Sequence, residues 1–139
     1  MNSLDTNVLV YAVSPAEGAR EKAARKLLTR ASHAGWAIPA QVYGEFYAVM
    51  TRRQYMTRKA ASAAVVAFKA VMPALPSTLT AHAAALKLAT EKQVQYWDAL
   101  IIAICAEHGV KQLYTEDAAS AAKLLGVKLV SPFKPSTIV

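Results

Sequence analysis

Nine Asp and Glu residues face sixteen Lys and Arg in this 139-residue chain, and five of the nine fall in four short blocks. These are Leu4-Asp5-Thr6-Asn7, Gly44-Glu45-Phe46, Trp97-Asp98-Ala99 and Thr115-Glu116-Asp117. Three or four carboxylates gathered in a field of excess Lys and Arg make an oxygen-rich site for a hard divalent cation, and the chemistry such a site performs is hydrolysis of a phosphodiester. The net charge of +7 points the same way, toward a polyanionic partner, nucleic acid or anionic lipid. Other chemistries have less to work with. His33, His82 and His108 are scattered, the single Cys105 excludes an internal disulfide and a Cys-rich zinc site, and no Gly-rich phosphate loop is present. The position two after Asp5 is Asn7, where a phosphatase with an aspartate nucleophile would need a second acid.

The elements that must carry these blocks follow from punctuation and periodicity. Met1 to Leu4 reads as a short strand, and Asp5-Thr6-Asn7 supplies residues that cap a helix over Val8 to Ala12, which Ser14-Pro15 breaks. A helix is expected from Ala16 to about His33, with Ala19, Ala23, Ala24, Leu27, Leu28 and Ala31 as its apolar stripe and Glu17, Glu21, Arg25 and Lys26 on the wet face. Gly35 ends it, and Trp36-Ala37-Ile38 forms a second strand. Pro39 opens a helix to about Arg53, and another follows after Met56-Thr57 and ends near Val71. Pro73-Ala74-Leu75 is a weak third strand. Helices over Thr80 to Lys92 and Trp97 to His108 follow, then strands at Val110 to Tyr114 and Lys128 to Val130 around a short helix, Ala118 to Leu125. Strands joined through helices imply an α/β fold with a central parallel β-sheet of four to five short strands flanked by helices on both faces.

In such sheets ligands gather at the carboxyl ends of strands, where Asp5 and the Thr115-Glu116-Asp117 block fall. Helical geometry directs the other two acids. On the helix after Pro39, Val42, Phe46 and Val49 face inward, and Glu45 projects from the shoulder between Gln41 and Val49. On the Trp97 to His108 helix, Trp97, Ile101, Ile104, Cys105 and His108 form the inward stripe, with Asp98 pointing close to Cys105. A carboxylate partly withdrawn from water needs a compensating charge. Each acid alone has a structural explanation: Asp5 and Asp117 as caps, Asp98 at a positive helix end, Glu45 paired with Arg52 or Arg53. Four such placements together favour one shared site.

The same residues carry a resemblance. Leu4 to Ala12 (LDTNVLVYA) looks like the opening of PIN-domain ribonucleases, and Tyr96 to Ala103 (YWDALIIA) looks like their third acidic motif. Tyr43-Gly44-Glu45-Phe46-Tyr47 is similar to the second, Leu113-Tyr114-Thr115-Glu116-Asp117 to the fourth, and Val130-Ser131-Pro132-Phe133 to the family's closing Asn-Pro-Phe. The likeness spans essentially the whole chain, read as one domain over residues 1–139, and its size most resembles the VapC-type toxins of bacterial toxin–antitoxin pairs.

The resemblance implies a PIN-like fold and a metal-dependent endoribonuclease. Asp5, Glu45, Asp98 and Asp117 match the acidic quartet that holds Mg²⁺ or Mn²⁺, with Asp5 and Asp98 on the principal ion; Thr6, Asn7 and Thr115 match its supporting polar positions, and Glu116 is an adjacent helper. Hydrolysis at such a site leaves a 5′-phosphate. Ser131 stands where the family has Asn, a change expected to touch packing and not chemistry. Arg52, Arg53, Arg58 and Lys59 are the candidates for RNA phosphates, with Tyr47 or Tyr55 available for stacking. Implied partners are the RNA substrate, a small cognate antitoxin and a second copy in a homodimer. The alternatives are a non-catalytic RNA-binding module of the same fold and a housekeeping or structure-selective DNA nuclease. No signal peptide is expected, and the longest uncharged stretch, Ala70 to Leu86, is broken by Pro73 and Pro76, so the expectation is a cytoplasmic protein with no membrane span.

Overall fold

A computed structural model describes residues 1–14, 18–116 and 123–133. Three strands build the framework of the main sheet: β1 (Asn2–Leu4), β4 (Gln112–Tyr114) and β6 (Val127–Val130), all mutually parallel in the order β1-β4-β6. Between β1 and β4 the chain forms α1 (Thr6–Val13), α2 (Ala19–Ala34), β2 (Ile38–Pro39), α3 (Ala40–Arg52), α4 (Arg58–Val71), β3 (Ala74–Leu75), α5 (Leu79–Lys92) and α6 (Tyr96–Glu107). β2 and β3 pair parallel as a separate two-stranded sheet. A hydrogen bond from Ser3 Oγ to the Ala37 carbonyl, at 2.7 Å, ties β1 to the chain entering β2. Ser3 is fully buried, so this bond satisfies a hydroxyl that would otherwise be stranded in the core.

The register of the parallel strands sets where their carboxyl ends meet. Leu4 is opposite Tyr114, and Tyr114 is opposite Val130, so all three strands end at one level. The ladder continues one residue beyond the strands: Asp5 N–H donates to the Tyr114 carbonyl at 2.9 Å and Thr115 N–H to the Val130 carbonyl at 2.9 Å. Residues 110 positions apart in sequence are thereby made neighbours.

The core forms from helix stripes against the sheet. α2 buries Ala24, Leu27 and Ala31, with Ala23 and Leu28 half-buried and Ala19 exposed at the helix start, so the expected stripe is shortened at its first turn. α3 buries Val42, Tyr43, Phe46 and Met50, leaving Val49 half-buried on the shoulder with Glu45. Burial pushes the Tyr43 phenol well above its usual range, and its hydroxyl donates to the Met72 carbonyl at 2.6 Å. α6 behaves differently. All seven residues from Ala99 to Cys105 are buried because the helix lies inside the molecule, packed on α5 and on the sheet. A helix enclosed all round has no single inward stripe. The expectation that Trp97 faces inward is therefore corrected: Trp97 lies in the first turn, before the enclosed stretch, and is 53% exposed, while His108 is half-buried at the other end.

Two further expectations change. The second strand is Ile38–Pro39, with Trp36 and Ala37 buried in the approach to it. The helix expected over Ala118 to Leu125 lies outside the described residues as far as 122. Its end, Lys123–Leu124, is strand β5, paired antiparallel with β6. The connecting turn is Leu125-Gly126, both with positive φ (51° and 80°), the geometry of a tight two-residue hairpin. Leu is an unusual residue for that conformation, which is why the sequence signals a helix end at Gly126 and conceals a hairpin. The expected wet-face residue Glu17 and the breaker Pro15 also lie outside the described residues. The four strands β1-β4-β6-β5 thus form a mostly parallel α/β sheet, flanked by helices, with its one antiparallel member at the edge.

Candidate functional site

At the common end of β1 and β4 lies a cleft of about 240 Å³, lined by Asp5, Thr6, Asn7, Glu45, Ala48, Val49, Arg52 and Asp98. Each acid arrives on a different element. Asp5 leaves β1 and caps α1, its Oδ1 accepting from Thr6 N–H at 2.6 Å. The structural reading of Asp5 as a cap and the chemical reading as a cleft carboxylate are both met by one side chain, because its second oxygen, Oδ2, accepts from Thr115 Oγ1 at 2.8 Å. Only 8% of Asp5 remains exposed.

Glu45 projects from the half-buried shoulder of α3, as its helical position requires. Its Oε1 accepts from Thr6 Oγ1 at 2.6 Å and its Oε2 from Gln41 Nε2 at 2.7 Å, so the pairing with Arg52 or Arg53 considered from sequence is replaced by two neutral donors. Asp98 stands in the first turn of α6, where Gln95 caps the helix by accepting from Asp98 N–H at 3.1 Å. Asp117 lies outside the described residues. Glu116 does not line the cleft; it bonds to Asn7, Tyr11 and Arg20.

Gln41 is a site residue that the sequence reading used only as a direction marker. Its Nε2 donates both to Glu45 and to the Trp97 carbonyl, at 3.0 Å, and so bridges α3 to the start of α6. Those two acceptors fix the amide orientation. The opposite atom, Oε1, is buried without a hydrogen-bond partner among the described residues, the cost of holding two acid-bearing helices together. The i, i+4 spacing of Gln41 and Glu45 on one helix face was the available signal.

The electrostatics of the cleft are those of concentrated negative charge. Among the described residues, three carboxylates and one guanidinium, that of Arg52, line it. The field of Asp5 reaches Cys105, whose fully buried thiol is pushed from its ordinary 9.0 up to about 12, first by burial and further by the Asp5 charge, against a lowering hydrogen bond with Ser3. Carboxylates drawn from water and toward one another favour a cation between them. The donors suit a hard ion, since Asp5, Glu45, Asp98 and Asn7 offer oxygen, and none of the three histidines lines the cleft. His82 instead lies between Ser77 Oγ, at 2.9 Å, and the Tyr96 hydroxyl, at 2.8 Å, while His108 Nδ1 is 3.0 Å from the Ile104 carbonyl. Among the described residues no three acid, His or Cys side chains already converge as a ligand cage. A Mg²⁺-type ion keeps several waters and is commonly held by one or two carboxylates, so the oxygen donors of this cleft fit it without such a cage.

Of the four cations proposed for nucleic acid, two line a groove of about 800 Å³ with Tyr47, Ala48, Thr51, Gln54, Met56 and Thr57: these are Arg52 and Arg58. Arg53 and Lys59 are exposed nearby without lining it. Ala48 and Arg52 line both groove and cleft, so the two adjoin. Tyr47 is in the groove; Tyr55 is 53% exposed outside it. Ser131 caps the closing turn, accepting from Phe133 N–H at 3.3 Å, in keeping with a packing role.

Known structures share this architecture. The chain superposes on a chain of a toxin–antitoxin complex from Klebsiella pneumoniae with a TM-score of 0.70 at 20% identity, covering 96% of this chain and 99% of that one. VapC20 of Mycobacterium tuberculosis, a toxin that cleaves the sarcin–ricin loop, gives a TM-score of 0.70 at 18% identity over 92% of this chain and 99% of its own. VapBC2 of Rickettsia felis, solved bound to a DNA fragment from its promoter, gives 0.68 at 15% identity over 94% and 97%. A search of curated protein sequences gave no match. At the level of sequence families, residues 3–125 match the PIN domain. That span holds all four acidic blocks and the elements that bring three of them to one cleft, and on it the chain belongs to the PIN domain family.

Proposed function

We propose that this protein is a metal-dependent endoribonuclease and the toxin of a toxin–antitoxin pair. The observation that carries the reading is the cleft itself: Asp5, Glu45 and Asp98, delivered by a strand end and two separate helices, line one small cavity that adjoins an Arg-bearing groove. In this reading Asp5 and Asp98 hold a Mg²⁺ or Mn²⁺ ion, and Glu45 and Asp117 complete the ligand set. A divalent cation bound there supplies activation of the attacking water and neutralises charge on phosphorus and on the leaving 3′ oxygen. Thr6 and Thr115 aim the carboxylates of Glu45 and Asp5 through the hydrogen bonds described, and Asn7 lines the cleft between them. Arg52 and Arg58 bind phosphates of a single-stranded segment along the groove, assisted by Arg53 and Lys59 at its margin, with Tyr47 stacking on a base.

The likeness to toxin–antitoxin structures supports a small antitoxin as the protein partner, and we take a homodimer as the working form. Among the described residues no helix is long and apolar enough to cross a membrane, and we place the protein in the cytoplasm with its RNA.

The test is cleavage of a structured RNA mixture with Mg²⁺ or Mn²⁺. Asp98→Asn and Asp5→Ala are each expected to lower the rate at least ~100-fold with unchanged circular dichroism. Full activity in a folded Asp98→Asn protein would sink the proposal, and a wild-type protein that binds RNA without cutting it would establish the non-catalytic alternative. Induced expression should arrest growth, and co-expression of the small protein encoded beside it should relieve the arrest.

A further inference from the structure

Glu116 follows β4 at the edge of the cleft, yet both of its carboxylate oxygens are held from elsewhere. Oε1 is paired with Arg20 NH1 at 3.2 Å; Oε2 accepts from the Tyr11 hydroxyl at 2.6 Å and from Asn7 Nδ2 at 3.2 Å. Arg20 is itself held. Its guanidinium carbon lies 5.6 Å from the ring centres of both Tyr11 and Phe133, and those two rings meet edge to face at 5.3 Å. A planar guanidinium set against two aromatic rings loses rotational freedom before it meets the carboxylate, so the pair is better ordered than an ordinary surface ion pair.

One carboxylate thus gathers four stretches of chain: α1 through Asn7 and Tyr11, α2 through Arg20, the turn after β4, and through Arg20 the closing segment that bears Phe133. Immediately before Glu116 stands Thr115, 5% exposed, whose hydroxyl donates to Asp5 Oδ2 and whose N–H donates to Val130. Fixing Glu116 on one side and the β6 ladder on the other sets the direction of the Thr115 hydroxyl. Asn7 couples the arrangement to the cleft directly, because it lines the cavity while donating to Glu116.

The geometry points to Arg20 as a positioning residue: with Tyr11 and Asn7 it holds Glu116 out of cation coordination, and through that carboxylate it keeps Thr115 aimed at Asp5. This deepens the metal-nuclease reading and rests on it. It assigns Glu116 to the framework of the site and not to its ligands, and it gives Arg20 a task other than binding RNA phosphate.

The experiment measures Mn²⁺ affinity without RNA, by the spin-resonance signal of free Mn²⁺, beside steady-state cleavage. Glu116→Gln is expected to bind Mn²⁺ within about twofold of wild type, whereas Asp98→Asn binds it at least about tenfold more weakly. Arg20→Ala should lower kcat about tenfold with KM for RNA held within about twofold, Arg20→Lys should restore part of the loss, and the Arg20→Ala, Glu116→Gln double variant should be no slower than the worse single. Arg20→Gln replaces Arg20→Ala if the latter does not fold. A tenfold loss of Mn²⁺ affinity in Glu116→Gln, multiplying effects in the double variant, or a raised KM with a flatter salt dependence for Arg20→Ala would each overturn the inference. If Asp98→Asn retains both Mn²⁺ affinity and cleavage, the nuclease reading fails separately; coupled losses in thermal unfolding then still support the Arg20–Glu116 link, and additive losses still refute it.

Discussion

Thr6 is a small side chain with a large share in the cleft, since its backbone N–H holds Asp5 and its hydroxyl holds Glu45. Thr6→Val keeps the shape and the backbone bond while removing the hydroxyl, and is expected to reduce cleavage about tenfold without unfolding the protein; equal rates for the two proteins would mean that Glu45 needs no aiming. Cys105 offers a second test at this scale. Its thiol is fully buried and held protonated up to about 12, so it should ignore disulfide exchange reagents in the folded state and react in denaturant. The sign of its linkage follows from the raised pKa. Above its ordinary 9.0 the unfolded thiol releases its proton while the folded one keeps it, so the unfolded state binds fewer protons and stability falls as pH rises from about 9 to about 12. Cys105→Ala should flatten that alkaline fall in a melting series. The acids themselves were legible as types and positions, and so was the inward shoulder of Glu45; Gln41 carried a signal in its i, i+4 spacing to Glu45, but Tyr11 and Arg20 carried none, because their partner Glu116 lies on another element and no spacing rule joins positions as distant as 20 and 116.

Among the elements, α3 carries the most. Phe46 is fully buried and meets Phe68 of α4 edge to face at 5.5 Å, on the same helix that presents Glu45. Phe46→Ala is expected to cost about 3–5 kcal/mol in denaturant unfolding. The hairpin turn predicts the opposite sign. Leu125, 46% exposed, has a φ of 51°, a conformation that strains a residue bearing a branched side chain, and Leu125→Asn should raise stability by about 1 kcal/mol. A loss of stability would mean that the Leu125 side chain is held by contacts worth more than the strain. Helices were the most legible elements, since caps and apolar spacing are local signals: Pro39 ahead of α3, Thr57 ahead of α4 and Gly35 after α2 all mark ends seen in the fold. The burial of α6 was not, because enclosure on all sides is a property of its neighbours.

For the whole molecule, the consequence of a net charge of +7 depends on where the cations sit. Arg52 and Arg58 line the groove that adjoins the acidic cleft, so their replacement by Ala should weaken RNA binding and lower the slope of log affinity against log salt by about one each. An unchanged slope would move RNA to another face. By itself the sequence determined the family, the α/β class and the identity of the acids, because hydrophobic period, caps and short acidic strings are written locally. Only the tertiary structure decided that Asp5, Glu45 and Asp98 share one cavity, that Glu116 bonds to Asn7, Tyr11 and Arg20, and that Trp97 faces outward. The physical reason is long-range packing: the parallel register of β1, β4 and β6 sets Asp5 beside Thr115, the packing of α3 on α1 and the Gln41 bridge to α6 bring up Glu45 and Asp98, and no local signal encodes those alignments.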